Sequence, residues 1–418
     1  MDTVRLDEGL NRSTAPNGLT ILTEVLPSVR SCAIGLWVRS ASAHEPRPLM
    51  GTAHLLEHLV FKGTERRSAK AIAHELEARG GSLDAYTGRD HTNFQAHILD
   101  ADLPAAVDVL TDLVRRPLLR PADLELERKV VLEEIGMVED TPDDMVFELH
   151  SDLLWNDHPY GYRILGTRDT VTALGTAELQ AFHRDGYFPG NIVVAAAGSL
   201  DHDQVLGLLE HEGWFETTTT GPVIPPIATG TARHGREQRV ARDGSQVHVV
   251  IGTDSLPRAD RRRVALALLV NGLGGGMSSR LFQRVREELG LAYSVYCYES
   301  GYQAGGVTGT YVATAPATAD KAVATILEEY ATVAREGLPP EELEAQKRQL
   351  KGHIMLGLES PVSRMSRLAS HTLAGEKYRT LDEILAEVDA VTGDEVAALG
   401  AEFFAPERQT VVRLGPDQ

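Results

Sequence analysis

The stretch His54-Leu55-Leu56-Glu57-His58 contains the residue types of a catalytic metal site. On a helix, successive residues are about 100° apart, so the two histidines lie about 40° apart on one face, with Glu57 on the same side. A catalytic zinc ion usually takes three protein ligands, and a nearby carboxylate that is not a ligand removes a proton from water. His54 and His58 therefore fit the role of metal ligands, and Glu57 fits the role of base.

The order H-x-x-E-H is the reverse of the commoner H-E-x-x-H and is the inverzincin signature. The chain contains 15 histidines and many glutamates, so a chance match is the alternative, in which the motif is an exposed amphipathic helix. A third ligand must come from elsewhere. Residues 124–148 have a helical, acid-rich pattern and offer a wide choice of carboxylates.

Composition narrows the class of protein. The chain has 418 residues, which exceeds one typical hydrophobic core and leads us to expect two domains. Its hydrophobic fraction of 42% and charged fraction of 24% are ordinary for a globular protein. The net charge of −19 argues against nucleic acid as a partner and permits cationic partners such as basic peptides.

The sequence also bears on location. No apolar run approaches the roughly 18 residues of a membrane span, and the first residues lack the apolar core of a signal peptide. Cys32 and Cys297 are too few for a disulfide framework, which favours a reducing compartment and leaves histidine and carboxylate as zinc ligands. We expect a soluble, cytoplasmic protein with no membrane partner.

The second half of the chain repeats the pattern of the first at an offset of 219 residues. Arg120-Pro121-Ala122-Asp123-Leu124 lines up with Pro339-Pro340-Glu341-Glu342-Leu343, and Pro142 lines up with Pro361. Each copy continues with helical patterns between strand-type segments, which predicts a duplicated α/β domain. The strand-type segments are residues 19–26 and 31–39 at the start of the first copy, 246–253 at the start of the second, and 192–197 and 410–414 at their ends. The second copy has no H-x-x-E-H, so only the first can hold this metal site.

Domain boundaries follow from the same pattern. We expect an N-terminal catalytic domain at residues 1–215 and a homologous C-terminal domain at residues 236–418. Residues 216–235 between them are rich in threonine, proline and glycine and show no sustained periodicity, which is typical of a linker.

Two further segments carry a family resemblance. Together with the pentapeptide, Phe61-Lys62-Gly63-Thr64 and Glu127-Arg128-Lys129-Val130-Val131-Leu132-Glu133-Glu134 resemble the pitrilysin/insulinase family of zinc peptidases, in the branch of mitochondrial processing peptidase and its bacterial relatives. The resemblance covers essentially the whole chain. It implies a zinc endopeptidase with one Zn²⁺ per chain. It also implies two half-domains related by a pseudo-two-fold duplication, each a mixed, largely antiparallel β-sheet flanked by helices.

The resemblance also implies roles for single residues. In the family, the third zinc ligand is a glutamate about 76 positions after the second histidine, which selects Glu134 over Glu133 or Glu127. Glu127 matches a family glutamate that lies behind the zinc and tunes it. For Glu133 we prefer a solvated helix face.

An arginine and tyrosine pair is the next match. Gly290-Leu291-Ala292-Tyr293-Ser294-Val295-Tyr296, preceded by Arg286, resembles a family pair that reaches the scissile bond from the half that lacks zinc. Such donors can stabilise the developing oxyanion. The alternative is a strand tyrosine and a surface arginine. The run Gly272-Leu273-Gly274-Gly275-Gly276 resembles the family's glycine-rich loop, or is a plain helix-entry loop.

Substrate-binding residues follow from the same resemblance. Asp84 and Ala85 match an edge strand that adds the substrate main chain as an extra strand, although most relatives have Asn in place of Asp84. Asp144 and Glu148 match two acidic positions that receive an arginine upstream of the cut, with the two acid types swapped. Phe61 matches an aromatic residue of the pocket after the cut. The alternatives are helix solvation for the acids and core packing for Phe61.

The expected function is hydrolysis of peptides or unfolded segments in an enclosed chamber, with preference for basic residues near the cut. Because the larger single-chain relatives have four such domains, we expect a homodimer in which Tyr293 acts on the partner's zinc. Two alternatives stay open at this point. One is a non-catalytic core subunit of the same fold, and the other is one half of an obligate heterodimeric peptidase.

Overall fold

The computed structural model describes residues 1–216, 221 and 224–416, which form two compact units. The first unit consists of Met1–Ile135, Arg163–Pro226 and Leu356–Tyr378. The second consists of Gly136–Tyr162, Ile227–Met355 and Arg379–Gln418. Residues 217–220 and 222–223 of the expected linker lie outside the described residues.

The described residues form twelve strands and fourteen α-helices. The strands are β1 Asp2–Asp7, β2 Leu10–Thr14, β3 Thr20–Val25, β4 Ser31–Val38, β5 Ser82–Thr87, β6 Thr92–Leu99, β7 Ile192–Gly198, β8 Glu237–Ala241, β9 Val247–Ser255, β10 Ala292–Gly301, β11 Gly306–Thr314 and β12 Thr410–Gly415. The helices are α1 Thr52–Val60, α2 Ala69–Glu77, α3 Leu103–Arg115, α4 Pro121–Asp140, α5 Pro142–Trp155, α6 Arg168–Ala173, α7 Thr176–Gly186, α8 His202–His211, α9 Arg263–Gly274, α10 Ala319–Glu336, α11 Pro340–Gly357, α12 Pro361–Leu373, α13 Leu381–Ala390 and α14 Gly393–Phe403.

The first unit is built on a seven-stranded sheet in the order β1-β2-β3-β7-β4-β6-β5. Only the β3–β7 pair is parallel, so the sheet is mixed and largely antiparallel. Strand β5 pairs with β6 and forms one edge of the sheet. Strand β7 is buried along its whole length, which is typical of a strand covered on both faces.

The second unit repeats this plan in a five-stranded sheet, in the order β8-β12-β9-β11-β10. This order matches β3-β7-β4-β6-β5 strand for strand, and again one pair, β12 with β8, is parallel. Helices α4 and α11 begin at Pro121 and Pro340, and α5 and α12 begin at Pro142 and Pro361. The expected fold class, two α/β halves with mixed, largely antiparallel sheets flanked by helices, is confirmed.

The compact units are not continuous along the chain. Helix α12 belongs to the first unit, where Met365, Leu368 and Ala369 pack with Trp37 and Leu22 on one sheet face. Helix α5 belongs to the second unit, where Val146 packs in a cluster with residues of β9, β11 and β12. The division therefore differs from the contiguous boundaries at 215 and 236, because each sheet takes one covering helix from the other half of the sequence.

The acid-rich stretch at residues 124–148 is two helices rather than one. Helix α4 ends at Asp140 and α5 begins at Pro142, because proline lacks an amide hydrogen and disfavours helical conformation in the residue before it. The break separates the acidic residues into different units, since α4 up to Ile135 lies in the first and α5 in the second. Among the described helices, we find none with the length and apolar character to cross a membrane.

Candidate metal centre

Helix α1 presents the H-x-x-E-H motif. Its N-terminal flanking residue, Gly51, adopts a left-handed conformation with φ +92°, and a Cβ atom there would lie 2.7 Å from the Leu165 carbonyl oxygen. The face of α1 that packs into the core of the first unit carries three buried leucines, Leu55, Leu56 and Leu59. Burial of that face leaves His54, Glu57 and His58 half-buried beside the core.

Three side chains from two helices meet at one point. The Nε2 atoms of His54 and His58 lie 3.5 and 3.6 Å from the same oxygen, Oε2 of Glu134 on α4. Each residue offers a ligand atom within 4.8 Å of the other two. Within the described part of the chain, this is the one group of three or more His, Cys, Asp or Glu residues so arranged.

The donor set fits a zinc ion. Zinc with four ligands at about 2.1 Å holds neighbouring ligand atoms about 3.4 Å apart, which is close to the separations from Glu134 to both imidazoles. Two imidazole nitrogens and one carboxylate are also the protein ligands of many catalytic zinc sites. The Glu134 side chain is 35% exposed, so the side of the site that it occupies is open to solvent.

Glu127 contacts one of the candidate ligands, His58. Its Oε2 lies 3.1 Å from Nδ1 of His58, which places the proton on Nδ1 and leaves Nε2 free to bind a metal. The carboxylate is buried, and the Lys62 ammonium lies 2.7 Å from its Oε1. Lys62 therefore compensates the charge that Glu127 would otherwise bury alone.

Burial controls the protonation of the site. It lowers the pKa of His54 to about 4, with the charge of His58 adding to the effect, so His54 is neutral at neutral pH as metal binding requires. Burial raises the pKa of Glu57 above its ordinary value, while the hydrogen bond from Thr87 to Glu57 Oε2 opposes the rise. A carboxylate with a raised pKa is a stronger proton acceptor, as a general base needs.

Other predicted residues of the first unit lie at the end of α1 and on edge strand β5. Phe61 follows α1 and packs against the core, with its ring centroid 6.4 Å from that of Phe94. Asp84 and Ala85 lie on edge strand β5, opposite Gln95 and Phe94 of β6. The Asp84 side chain is exposed and that of Ala85 packs on the core. Because β5 is the last strand in the sheet order, its outer backbone edge pairs with no other strand of that sheet.

The predicted Arg and Tyr pair is formed within the second unit. The Arg286 guanidinium carbon lies 4.7 Å from the ring centroid of Phe282 and 4.4 Å from that of Tyr293. Arg286 lies on a π-helix, Phe282–Glu288, and Tyr293 lies at a bulge in edge strand β10. Both features are frequent at functional sites, and Tyr293 is 77% exposed.

Asp144 and Glu148 also lie in the second unit, one turn apart on α5. Asp144 is exposed and Glu148 is half-buried. The glycine-rich run ends helix α9, and a Cβ atom at Gly274 would lie 2.4 Å from Cys297 Sγ, so close packing against β10 explains that glycine. The structure thus brings together His54, Glu57, His58, Glu127 and Glu134 in the first unit and places Arg286, Tyr293, Asp144 and Glu148 in the second.

Three residues beside the site had no role assigned from the sequence. Lys62 pairs with Glu127, Thr87 donates to Glu57, and Glu45 accepts hydrogen bonds from the amides of Gly51 and Ala53 at the start of α1. Alternation along β5 could have placed Thr87 on the face of Ala85. For Glu45, no local pattern signals the contact.

The fold and the site together define a class: a duplicated α/β protein whose first half brings an H-x-x-E-H motif together with a third carboxylate. Residues 20–168 match the family model "Insulinase (Peptidase family M16)", and residues 173–350 match "Peptidase M16 inactive domain". The second match falls largely in the half without the metal motif.

Known proteins agree with this class. An uncharacterized zinc protease of Streptomyces coelicolor is 40% identical over 412 residues, which cover 97% of this chain and 90% of the relative. The zinc protease YmxG of Bacillus subtilis is 38% identical over 400 residues, or 95% of this chain and 96% of the relative. The chain belongs to the insulinase family, peptidase family M16.

Solved structures share the fold. A peptidase M16 inactive domain from Pseudomonas fluorescens superposes with a TM-score of 0.91 at 20% identity, covering 98% of both chains. A protease from Helicobacter pylori superposes with a TM-score of 0.90 at 22% identity, covering 97% of this chain and 99% of the other.

Proposed function

We propose that the protein is a zinc-dependent endopeptidase. The observation that carries the proposal is the convergence of two imidazole nitrogens and one carboxylate oxygen. The separate carboxylate of Glu57 lies on α1, the helix that carries both imidazoles. His54, His58 and Glu134 would hold one zinc ion. When bound, zinc polarises a peptide carbonyl and lowers the pKa of a water molecule.

The protein's own groups perform the proton transfers. Glu57 accepts the proton of the attacking water through its carboxylate and passes it to the leaving amine. Glu127 keeps the His58 imidazole in the tautomer with Nε2 free. Arg286 and Tyr293 would donate hydrogen bonds to the oxyanion as negative charge develops on the carbonyl oxygen.

We propose extended peptides and unfolded segments as substrates, cleaved in an enclosed chamber. Support comes from edge strand β5, whose outer backbone groups at Asp84 and Ala85 suit pairing with a peptide main chain. Asp144 and Glu148 support a preference for arginine two residues before the cut. Equal cleavage rates for peptides with Arg and with Leu at that position would remove the preference.

We propose a homodimer as the working form, in which one protomer's Arg286 and Tyr293 serve its partner's zinc site. The motif is present in the first half and the Arg and Tyr pair in the second half of the same chain, which supports self-sufficiency. Mixing Tyr293→Phe chains with Glu57→Gln chains should restore part of the activity. Absence of recovery in mixed dimers would count against the shared site.

The experiment that tests the function is cleavage of quenched basic peptides by the zinc-loaded protein. We expect cleavage that a chelator abolishes. Glu57→Gln should lower kcat by about 10²- to 10⁴-fold while the variant still binds one zinc, because the amide cannot accept the proton. Glu133→Gln, on the exposed face of α4, serves as the matched control and should keep wild-type activity.

Two outcomes would contradict the proposal. Undiminished cleavage by zinc-loaded Glu57→Gln would remove Glu57 as the base. A wild-type protein that binds one zinc per chain and cleaves no peptide would favour a non-catalytic subunit, against which the complete donor set now weighs.

A further inference from the structure

A threonine on the edge strand contacts the proposed base. Thr87 is the last residue of β5, and its Oγ1 donates a hydrogen bond to Oε2 of Glu57 on α1. Side chains alternate along a strand, so Thr87 shares the inward face of β5 with Leu83 and Ala85, which pack against the core of the first unit. The packing of α1 on β5 brings the hydroxyl to the carboxylate.

This contact limits how the base can move. A glutamate side chain has three rotatable bonds, and ordering a free one costs conformational entropy. With Oε2 held by Thr87, the carboxylate is ordered before substrate arrives and keeps its other oxygen for proton transfer. A base must lie within hydrogen-bond reach of the proton that it takes, so its orientation bears directly on kcat.

The same strand carries Asp84 and Ala85, three and two residues before Thr87, which we propose to pair with the substrate main chain. The backbone that would align the peptide is thus continuous with the residue that holds the base. We propose that Thr87 is a positioning residue for Glu57, which fixes the carboxylate relative to edge strand β5 and so to the bound peptide. This inference rests on the proposed peptidase function.

The test compares Thr87→Val with Thr87→Ser. Valine has the shape of threonine and suits a strand, so it removes the hydroxyl and little else. We expect Thr87→Val to lower kcat by about 10- to 100-fold with KM within about twofold of wild type and with one zinc still bound. Thr87→Ser restores the hydroxyl and should return kcat to within about threefold of wild type. A crystal structure of Thr87→Val should show the Glu57 carboxylate displaced or in several conformers.

Thr23→Val is the matched control. Thr23 is also a strand threonine of the first sheet, and it is fully buried. Its hydroxyl contacts His202 at 2.8 Å rather than a residue of the candidate metal centre. Its loss should lower the thermal midpoint without lowering kcat. In a Glu57→Asp background, whose shorter side chain no longer reaches Thr87, the Thr87→Val change should have less effect than in the wild type.

The outcomes distinguish the positioning role of Thr87 from the proposed peptidase function. An active wild type with an equally active Thr87→Val variant overturns the positioning role alone, as does equal impairment of the Val and Ser variants, which would indicate a packing effect. A higher KM with unchanged kcat also overturns it, because that result indicates a distorted peptide-binding strand. Absence of cleavage by the wild type overturns the proposed function and this inference with it.

Discussion

At the scale of single residues, the site is a chain of contacts that runs outward from the proposed metal ligands. His58 binds Glu127, and Glu127 binds Lys62. A carboxylate behind a ligating histidine raises the basicity of the imidazole and fixes its ring, and the lysine allows that carboxylate to stay charged although it is buried. We therefore expect the zinc affinity of the site to depend on Glu127, a residue that would not touch the ion.

Glu127→Gln should weaken zinc binding by about 10- to 100-fold. The amide oxygen can still accept from Nδ1 of His58, but without the negative charge it makes the imidazole a weaker ligand, and Lys62 loses its ionic partner. The dissociation constant is measured by competition with a chromophoric chelator. Glu133→Gln, an exposed acid on the same helix, is the control, and equal affinities for both variants would contradict the role of Glu127.

At the scale of elements, helix α1 depends on a cap from outside itself. Gly51 has no side chain to cap the first turn, and Glu45 supplies the acceptors instead, with Oε2 2.9 Å from the Gly51 amide nitrogen and Oε1 2.5 Å from that of Ala53. Glu45 is only 3% exposed, and burial raises its pKa to about 8 against the effect of both hydrogen bonds. The position of helix α1, which carries the H-x-x-E-H motif, is thereby linked to a buried acid.

This pKa predicts a pH dependence of stability. The folded protein holds the Glu45 proton more tightly than the unfolded chain does, so the free energy of unfolding falls as pH rises from about 4.5 to about 8. Glu45→Gln should lack this contribution. Between pH 5.5 and 7.5 we expect the wild type to lose at least about 1 kcal/mol relative to the variant.

Chemical denaturation of the metal-free proteins, followed by circular dichroism at several pH values, measures that difference. Glu65→Gln, at an exposed position near α1, is the control and should keep the wild-type slope. Identical slopes for the wild type and Glu45→Gln would contradict the prediction.

At the scale of the whole molecule, each unit is completed by a helix from the other half of the sequence. The seven-stranded sheet of the first unit is covered on one face by α12, and the five-stranded sheet of the second unit is covered on one face by α5. Trp37 and Leu22 on the first sheet would be exposed to water without α12. Neither half of the sequence therefore contains a complete hydrophobic core.

Leu368→Ala should destabilise the first unit although residue 368 lies far along the second half. The side chain is fully buried against the first sheet, and its truncation should cost about 2–5 kcal/mol. Hydrogen exchange measured by mass spectrometry should rise in β3, β4 and β7, which α12 contacts. Leu356→Ala, at a side chain that is 68% exposed, should leave exchange unchanged.

A corresponding substitution on α5 tests whether that helix completes the core of the second unit. Val146→Ala on α5 should raise exchange in β9 and β12 of the second unit. If Leu368→Ala instead raised exchange in the second unit and left β3, β4 and β7 protected, the assignment of α12 to the first core would be wrong.

Local patterns in the sequence were sufficient to predict several secondary-structure elements and the helical placement of the H-x-x-E-H motif. Alternation and helical periodicity act between near neighbours, so strands β3, β4, β7, β9 and β12 and the duplication at an offset of 219 residues were predicted correctly. The spacing of His54, Glu57 and His58 alone places them on one helix face, and the family resemblance added Glu134 and Glu127.

Tertiary structure alone decided the partners that hold these residues in place. Thr87 lies 30 residues from Glu57, and Arg364 of α12 pairs with Glu24 of β3, which is 340 residues away. No periodicity joins such positions, because the contacts exist only once strands pair and helices pack. The sequence determines which residues can bind zinc and take a proton, and the packing of the folded chain determines how each is oriented and which helix completes each core.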